Sequence, residues 1–318
     1  MSLKILCVGD IHLRASAPVS RLDKDFLGTI IEKLEQIADM SDRFDMVILL
    51  GDVFDRPDVV HSVVIRAMRV FSMFKTPVYS VVGNHDVPGY QGADLTKSAL
   101  GVLFESGVVK KLDSMHINNV SIYGLHAYDK TLWTVPDSGS VKILVAHKMV
   151  TNNPFPDPDG RNSCHVIADV SKLTNADLIL SGDIHYPHEV EIDNKLFLNP
   201  GSLARLSIAD RDRHPQVAEI TIEDSGEINH NFLALNSKPA EMLFDLKNYS
   251  QRMAAEAHTK GFVKTYAQVV LSVKAEAHLL APALERFLAA NGVEAKLHTS
   301  VLEYYDRAEK EVLAEIKD

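Results

Sequence analysis

Short apolar runs recur along the first part of the chain and predict buried β-strands. They are rich in Val, Ile and Leu, and they lie at Leu3–Val8, Met46–Leu50, Val78–Val82, Val120–Tyr123, Val141–Ala146 and Leu178–Leu180. Consecutive apolar positions over such lengths are typical of strands covered on both faces. Between the first three runs, apolar residues recur at helical spacing in Asp25–Asp39 and Val59–Phe74. This alternation predicts βαβ units.

The pattern changes after Glu189, where strand follows strand as far as Leu235 in the segments EVEI, KLFLN, QVAEITI and NHNFLAL. Direct succession of strands is typical of antiparallel pairing. We therefore expect a second, antiparallel-leaning sheet to follow the first. The predicted fold class is α/β, with two stacked mixed β-sheets flanked by helices.

A domain boundary is predicted near Asn236–Pro239, where the pattern changes again. Beyond it the sequence predicts a strand at Ala267–Val273, a helix at Ala281–Asn291 and a strand at Glu294–Thr299. Such an outline is typical of a small α/β unit. We assign residues 1–236 to a main domain and residues 237–318 to a small C-terminal α/β domain with a tail.

Composition and charge restrict the functional classes. The 318 residues are 46% hydrophobic and 24% charged, as in an ordinary globular protein. No apolar run approaches the roughly 20 residues that cross a bilayer, and the strand pattern begins at the N-terminus. We therefore expect a cytoplasmic protein with no signal peptide and no membrane contact. Its two cysteines, Cys7 and Cys164, imply free thiols rather than a disulfide framework.

The net charge of −10 bears on nucleic acids as partners. Tight autonomous binding to nucleic acid needs clustered Lys and Arg that contact phosphates, and an acidic chain opposes it. If DNA is the substrate, metal ions or a partner protein must supply affinity.

Five short polar motifs stand where predicted strands end. They are GDIH (Gly9–His12), GDVFDR (Gly51–Arg56), GNHD (Gly83–Asp86), AHK (Ala146–Lys148) and a second GDIH (Gly182–His185). In an open α/β sheet, ligands collect outside the carboxyl ends of the strands, so these side chains can converge. Carboxylate, amide and imidazole groups suit Mn, Fe or Zn, and one bridging carboxylate can hold two ions.

As a set and in this order, the motifs resemble those of the calcineurin-like metallophosphoesterase family. Any one of them alone is a weak signal, whereas the whole set is specific. The resemblance implies that Asp10, His12 and His185 hold one metal ion, and that Asn84, His147 and Asp183 hold the second. It also implies that Asp52 bridges the two ions.

The last motif departs from the family pattern, because Asp183 stands where the family's GHxH has a histidine. Carboxylate can still bind metal. Three carboxylates against two divalent ions give a formal charge of about +1 instead of about +2, and oxygen donors favour Mn or Mg over Zn. We expect two divalent ions, Mn above all, with Mg as the alternative.

The resemblance also implies catalytic roles. The metal ions would activate a water for in-line attack on phosphorus, and His85 would give a proton to the leaving oxygen. Asp55 or Asp86 would hold the His85 imidazole in the required tautomer. Arg56 would contact phosphate through its guanidinium, although an exposed arginine at a helix start is an equal interpretation. Asp55 can equally be a helix cap.

Two features resemble SbcD-type nucleases, the nuclease subunits of a double-strand-break repair complex. The segment GDVFDRPDVVHSVVIRAM leads from a metal motif through proline into a long helix, and an α/β segment follows Asn236. The turn Asn199–Ser202 (NPGS) also resembles one found in bacterial and archaeal relatives, although turn chemistry alone accounts for it. The resemblance implies a manganese-dependent exonuclease or endonuclease in DNA recombination and repair, with the C-terminal segment as a capping domain.

The implied partners are DNA, a coiled-coil SMC-like ATPase of the SbcC type, and a second copy of the chain in a homodimer. Fold and metals do not determine the substrate within this superfamily. The acidic net charge favours an alternative, a metallophosphatase or a hydrolase of cyclic nucleotides and other small phosphodiesters. A scaffold without metal is disfavoured, because no predicted ligand position carries an apolar residue.

Overall fold

A computed structural model describes residues 2–89, 94–136, 140–153, 164–246, 248–249, 280–290, 299 and 301. The strands are β1 (Leu3–Val8), β2 (Met46–Leu49), β3 (Val78–Ser80), β4 (Lys110–Lys111), β5 (Ser114–Ile117), β6 (Val120–Leu125), β7 (Val141–Ala146), β8 (Val150–Thr151), β9 (His165–Val166), β10 (Leu178–Ser181), β11 (His188–Ile192), β12 (Lys195–Asn199), β13 (Gln216–Ile222) and β14 (Ile228–Ala234). The helices are α1 (Phe26–Met40), α2 (His61–Phe71), α3 (Ala99–Glu105), α4 (Ile167–Leu173), α5 (Ala240–Leu243) and α6 (Leu280–Ala290). All six predicted apolar runs form strands, and the two helices predicted between the first three runs also form.

Twelve of the strands build two mixed sheets. The first has the order β14-β13-β1-β2-β3-β4, in which β1 to β4 run parallel and β13 and β14 pair antiparallel. The second has the order β11-β12-β10-β7-β6-β5, in which the four central strands are parallel and each edge strand is antiparallel. The predicted fold class is confirmed.

Apolar side chains stack the two sheets face to face. Ile5, Cys7 and Ile48 from the first sheet share one buried cluster with Ile143 and Leu180 from the second. A separate cluster covers the other face of the first sheet with the apolar sides of α1, α2 and α3, and a third packs α4 against the second sheet. The central strands are therefore buried on both faces, which explains their continuous apolar runs.

The strands after Glu189 do not form a sheet of their own, and this part of the prediction was wrong. β11 and β12 extend the second sheet, which already contains β6, β7 and β10, whereas β13 and β14 return to the first sheet beside β1. β13 pairs antiparallel with β1, with Ile220 opposite Ile5. Local alternation of apolar residues predicts a strand, but it does not identify the strand's partner.

The chain divides into two compact units, Met1–Leu246 and Lys247–Asp318. In the second unit, α6 occupies Leu280–Ala290, where the sequence predicts a helix, and it buries Leu284 and Leu288. The predicted strands at Ala267–Val273 and Glu294–Thr299 lie outside the described residues, apart from Thr299. The predicted division at residues 236 and 237, with its capping role, stays a prediction.

Two further sequence expectations concern the cysteines and the membrane. Cys7 is buried and Cys164 is half-buried, and both are free thiols. Among the helices that the structure describes, none combines the length and the apolar character that crossing a bilayer requires.

Candidate metal centre

The five polar motifs meet at one edge of the stacked sheets. Three of them follow β1, β2 and β3 of the first sheet, and two follow β7 and β10 of the second. Because the strands within each sheet are parallel, their carboxyl ends lie on the same side. The fold thus gathers residues as far apart in sequence as Asp10 and His185.

All seven predicted metal ligands lie in this cluster. Ligand atoms of Asp10, Asp52 and His147 lie within 4.8 Å of one another. The remaining contacts are His12 Nε2 to His185 Nε2 at 3.0 Å, His147 Nε2 to Asn84 Oδ1 at 2.9 Å, and the Asp183 amide to Asp10 Oδ1 at 3.0 Å. His12 also lies within 4.8 Å of ligand atoms of Asp55 and His85.

Three of these ligands have an unusual backbone conformation. His12, Asp52 and Asp183 have φ values of 53°, 46° and 73°, in the left-handed region that residues other than glycine rarely enter. Strain of this kind persists where the surrounding structure requires a particular side-chain position. Each strained residue stands in the sharp turn directly after a buried strand.

Glycine permits these turns to pack against one another. A Cβ atom on Gly83 would overlap the Asp52 carboxylate and backbone amide, and Gly51, with φ 93°, lies against the His147 ring. The backbone of the GNHD turn therefore approaches Asp52 more closely than any other residue type would allow.

The hydrogen bonds of His147 favour a positive charge in the cluster. Its Nδ1–H donates to the Leu50 carbonyl oxygen at 2.6 Å, which leaves Nε2 facing Asn84 Oδ1 at 2.9 Å and Asp52 Oδ1 at 3.4 Å. With the Asn84 amide in this orientation, three lone pairs converge there. A proton on Nε2 or a cation among these atoms satisfies them.

The pKa values agree with this interpretation. Burial lowers the pKa of His147, but the stronger combined attraction of Asp52 and Asp10 raises it well above the usual value. Burial raises the pKa of the Asp52 carboxyl, yet His147 and His12 bring it below its ordinary value. In the absence of a cation, a proton on His147 offsets the Asp52 carboxylate.

Two other groups fit metal binding. Burial, reinforced by repulsion from Asp52, raises the pKa of Asp10 to about 6 although His147 opposes it, and burial lowers that of His12 to about 3. Asp10 Oδ2 and His12 Nδ1 are buried without a hydrogen-bond partner within the described part of the chain. A buried carboxylate short of counter-charge and a neutral imidazole are suitable ligands for a divalent cation.

His85 lies at the open side of the cluster. Its side chain is exposed, and its ring lies 5.1 Å from that of His12, centroid to centroid. The His85 amide donates to Asp52 Oδ1 at 2.9 Å, which ties the residue to the predicted bridging carboxylate. His85 Nδ1 lies 2.8 Å from the backbone carbonyl oxygen of Asp55.

The geometry differs from the roles predicted for Asp55 and Asp86. The carbonyl oxygen of Asp55, rather than its carboxylate, contacts the His85 ring. The Asp86 carboxylate is fully buried and accepts from the amides of Phe54 at 2.9 Å, Gly83 at 3.0 Å and Val53 at 3.3 Å. Asp86 therefore joins the second and third motif loops, and burial raises its pKa to about 7.

Arg56 is exposed and, among the residues described, makes no hydrogen bond or ion pair. A different arginine, Arg14, contacts the Asp55 carboxylate, and sequence reasoning missed it. Its Nη1 donates to Asp55 Oδ1 at 3.0 Å. Arg14 follows Leu13, which forms an isolated β-bridge to Phe54, the residue before Asp55. That bridge pairs residues far apart in sequence and has no local sequence signal.

The NPGS turn supports two of the motif loops. It follows β12, which is parallel to β10, so it lies at the same edge as the metal cluster. Asn199 donates from Nδ2 to the Ile184 carbonyl at 2.8 Å and accepts from the Gly201 amide at 2.7 Å. The Ser202 amide donates to the His185 carbonyl, and the Leu203 amide to the Asp10 carbonyl. The turn thus fixes the backbone of two predicted ligands.

Comparison with known proteins shows a consistent set of relatives. The chain is 26% identical over 275 residues to the DNA double-strand break repair protein Mre11 of Methanosarcina mazei, which covers 77% of this chain and 42% of that protein. For the Mre11 protein of Haloferax volcanii the identity is 27% over 308 residues, covering 91% of this chain and 65% of that protein. The chain therefore spans less than two thirds of either relative.

A third relative has a different printed activity. It is the 3′,5′-cyclic adenosine monophosphate phosphodiesterase CpdA of Haemophilus influenzae, 25% identical over 193 residues, or 58% of this chain and 70% of that protein.

The family model for calcineurin-like phosphoesterases matches residues 3–187, which include every motif from Gly9 to His185. This segment is more than half of the 318 residues. The chain belongs to the calcineurin-like phosphoesterase family.

Proposed function

We propose that the chain is a metal-dependent DNA nuclease that hydrolyses phosphodiester bonds in recombination and double-strand-break repair. One observation carries the hydrolytic part of this proposal. The His147 imidazole, the Asn84 amide and the Asp52 carboxylate converge with no positive charge among them unless His147 is protonated. Such a cluster suits a divalent cation.

The residues that would hold two ions are Asp10, His12, Asp52, Asn84, His147, Asp183 and His185. Bound divalent ions, Mn above all, would supply an activated water and offset the charge on the phosphate. The Leu50 carbonyl fixes the His147 tautomer so that Nε2 keeps its lone pair for a metal. The turn geometry of Asp52 keeps its carboxylate directed into the cluster.

His85 would give a proton to the leaving oxygen. Its Nδ1–H donates to the Asp55 carbonyl, which leaves Nε2 to carry the transferred proton. Its exposure supports access by substrate. Arg14 holds the Asp55 side chain and would act as a positioning residue. Arg56, exposed near the same loop, stays a proposed phosphate contact.

DNA as the substrate rests on the relatives. The Mre11 protein of Haloferax volcanii matches 91% of this chain, whereas CpdA matches 58%. The longer match extends into the residues after Asn236, which supports the proposal that residues 237–318 serve as a cap over the substrate. Homodimerisation and docking of a coiled-coil ATPase are part of the same proposal, as is a cytoplasmic location.

The alternative is hydrolysis of small phosphodiesters, favoured by the CpdA match and by the net charge of −10. The deciding experiment incubates the purified chain and Mn with labelled linear duplex, circular duplex and single-stranded DNA, and in parallel with cyclic adenosine monophosphate and a nitrophenyl phosphate. We expect DNA cleavage that His85→Ala lowers by at least about 100-fold, as for loss of a general acid. Turnover of the small substrates with intact DNA would overturn the nuclease proposal and favour the alternative.

A further inference from the structure

A pocket lined by basic side chains lies beside α1, away from the proposed metal ligands. Its volume is about 280 Å³, and Arg21, Lys33, Arg205 and Lys238 line it. None of the seven proposed metal ligands lines this pocket. The chain as a whole carries a net charge of −10, whereas four cationic side chains line this one cavity.

Two of these cations are buried without a carboxylate. Lys33 is 6% exposed and donates from Nζ to the Asn236 carbonyl at 3.0 Å. Arg205 is 5% exposed and donates to the Arg211 carbonyl at 2.7 Å, to Ser237 Oγ at 2.6 Å and to the Lys238 carbonyl. In the part of the chain that the structure describes, neither has a carboxylate oxygen within 4.0 Å, and Arg205 Nε has no partner.

Carboxylates offset this charge only in part and from beyond 4.0 Å, since Glu32 attracts Lys33 and Asp210 attracts Arg205. Arg21 is neutralised by Asp23, with Nε to Oδ2 at 2.7 Å. Lys238 and Glu32 are both exposed, and Glu32 is the acidic residue in the lining. Burial, followed by repulsion from Arg205 and Arg21, lowers the pKa of Lys33 to about 8. Buried Lys and Arg are rare unless paired, so an anion in the pocket would offset the free-energy cost of burying these two charges.

We propose that this pocket binds a phosphate group, as orthophosphate or as the phosphate of a nucleoside monophosphate. Guanidinium and ammonium groups together match phosphate oxygens. Thr29 and Ser237 also line the pocket, with their hydroxyl groups bound to Asp23 and Arg205 respectively. The volume is close to the lower range of small-molecule sites, roughly 300 Å³, so the cavity has room for more than a bare ion.

The test measures phosphate binding to the full chain after metal removal, so that the metal centre cannot hold phosphate through a bound ion. Equilibrium dialysis with labelled orthophosphate, and separately with deoxyadenosine monophosphate, is carried out at constant ionic strength in sodium chloride. We expect saturable binding with a dissociation constant of about 1 mM or tighter. Tighter binding of the nucleotide would assign the ligand to nucleotides, and equal binding would assign it to free phosphate.

Variants attribute the binding to the pocket. Lys33→Met should weaken it by at least about tenfold through loss of a buried charge, and Glu32→Gln should tighten it by removing a repelling carboxylate. Lys75→Met, at an exposed lysine paired with Asp42, is the matched control and should leave it unchanged. Equal binding by the wild-type, Lys33→Met and Glu32→Gln proteins, or no binding of either probe, would overturn the proposal. Glu32→Gln keeps the test decisive if Lys33→Met does not fold.

Discussion

The neutral His147 ring can donate one hydrogen bond, and two oxygen lone pairs face its other ring nitrogen. Its Nδ1–H is committed to the Leu50 carbonyl, and Nε2 meets Asn84 Oδ1 and Asp52 Oδ1. Without metal, a proton on Nε2 can bond to these oxygen atoms, and a divalent ion can bind them when metal is present. Proton and metal therefore compete for one position, so metal binding should release a proton.

Asp183 is the residue that we propose sets the metal preference. Asp183→His restores the histidine of the family pattern, and histidine tolerates the left-handed backbone found there, with φ 73°. We expect this variant to remain active and its ratio of Zn-supported to Mn-supported hydrolysis to rise by about tenfold, because imidazole suits Zn. The measurement is hydrolysis of one substrate with Mn, Mg and Zn in turn. An unchanged metal profile would disprove the role of Asp183.

Arg14 and Arg56 provide a matched comparison of two arginines near the same loop. Arg14→Ala leaves the Asp55 carboxylate without its ion pair, beside the carbonyl that orients His85. We expect kcat to fall by about tenfold, less than for loss of the proton donor itself. Arg56→Ala, which removes a proposed contact with the substrate phosphate, should raise KM and leave kcat within about twofold. Steady-state kinetics measure both, and a larger fall in kcat for Arg56→Ala than for Arg14→Ala would contradict the positioning role of Arg14.

At the scale of elements, the site depends on short turns that follow parallel strands. The NPGS turn follows β12 and binds the backbone of Ile184 and His185 on one side and of Asp10 on the other. These contacts join a loop of the first sheet to a loop of the second. Separation of the two loops would separate Asp10 from Asp183.

Asn199 is the residue of this turn that can be tested most simply. It is fully buried, and Asn199→Ala removes the partners of the Ile184 carbonyl and the Gly201 amide. We expect the free energy of unfolding to fall by about 2 kcal/mol, since a buried polar group left without a partner costs about 1–3 kcal/mol. Urea denaturation of the metal-free protein measures it, with the exposed Asn231→Ala as control. Equal stability of the two variants would show that the turn is not a structural support.

The elements and the gathering of the motif residues were predictable from the sequence because each motif and each strand has a local signal. A strand such as Val141–Ala146 is continuous in apolar residues, and His147 stands directly after it. Pairing has no local signal, so the return of β13 to β1 was missed. Side-chain direction within a tight turn has none either. His85 and Asp86 are adjacent, yet one side chain is exposed and the other is fully buried.

At the scale of the whole molecule, the net charge of −10 limits how DNA, the proposed substrate, could bind. A chain with net charge −10 repels a polyanion, and this repulsion weakens only where bound cations or a basic partner offset it. The metal centre would then contribute to affinity as well as to hydrolysis.

Chelation of the metal ions should therefore weaken DNA binding. With His85→Ala, which should bind without cleaving, fluorescence anisotropy should show that removing Mn lowers affinity for labelled duplex by at least about tenfold. Higher salt should weaken what remains. Equal affinity with and without Mn would show that a protein surface alone provides the binding.

We propose that two adjacent divalent ions occupy the cluster around Asp52. Elemental analysis of the protein after saturation with Mn and removal of free ions tests this, with Asp52→Asn as the paired variant. We predict about two ions per wild-type chain and fewer than one in Asp52→Asn, together with loss of phosphoester hydrolysis. A metal-free wild-type protein that hydrolyses its substrate at the full rate would contradict the two-ion proposal.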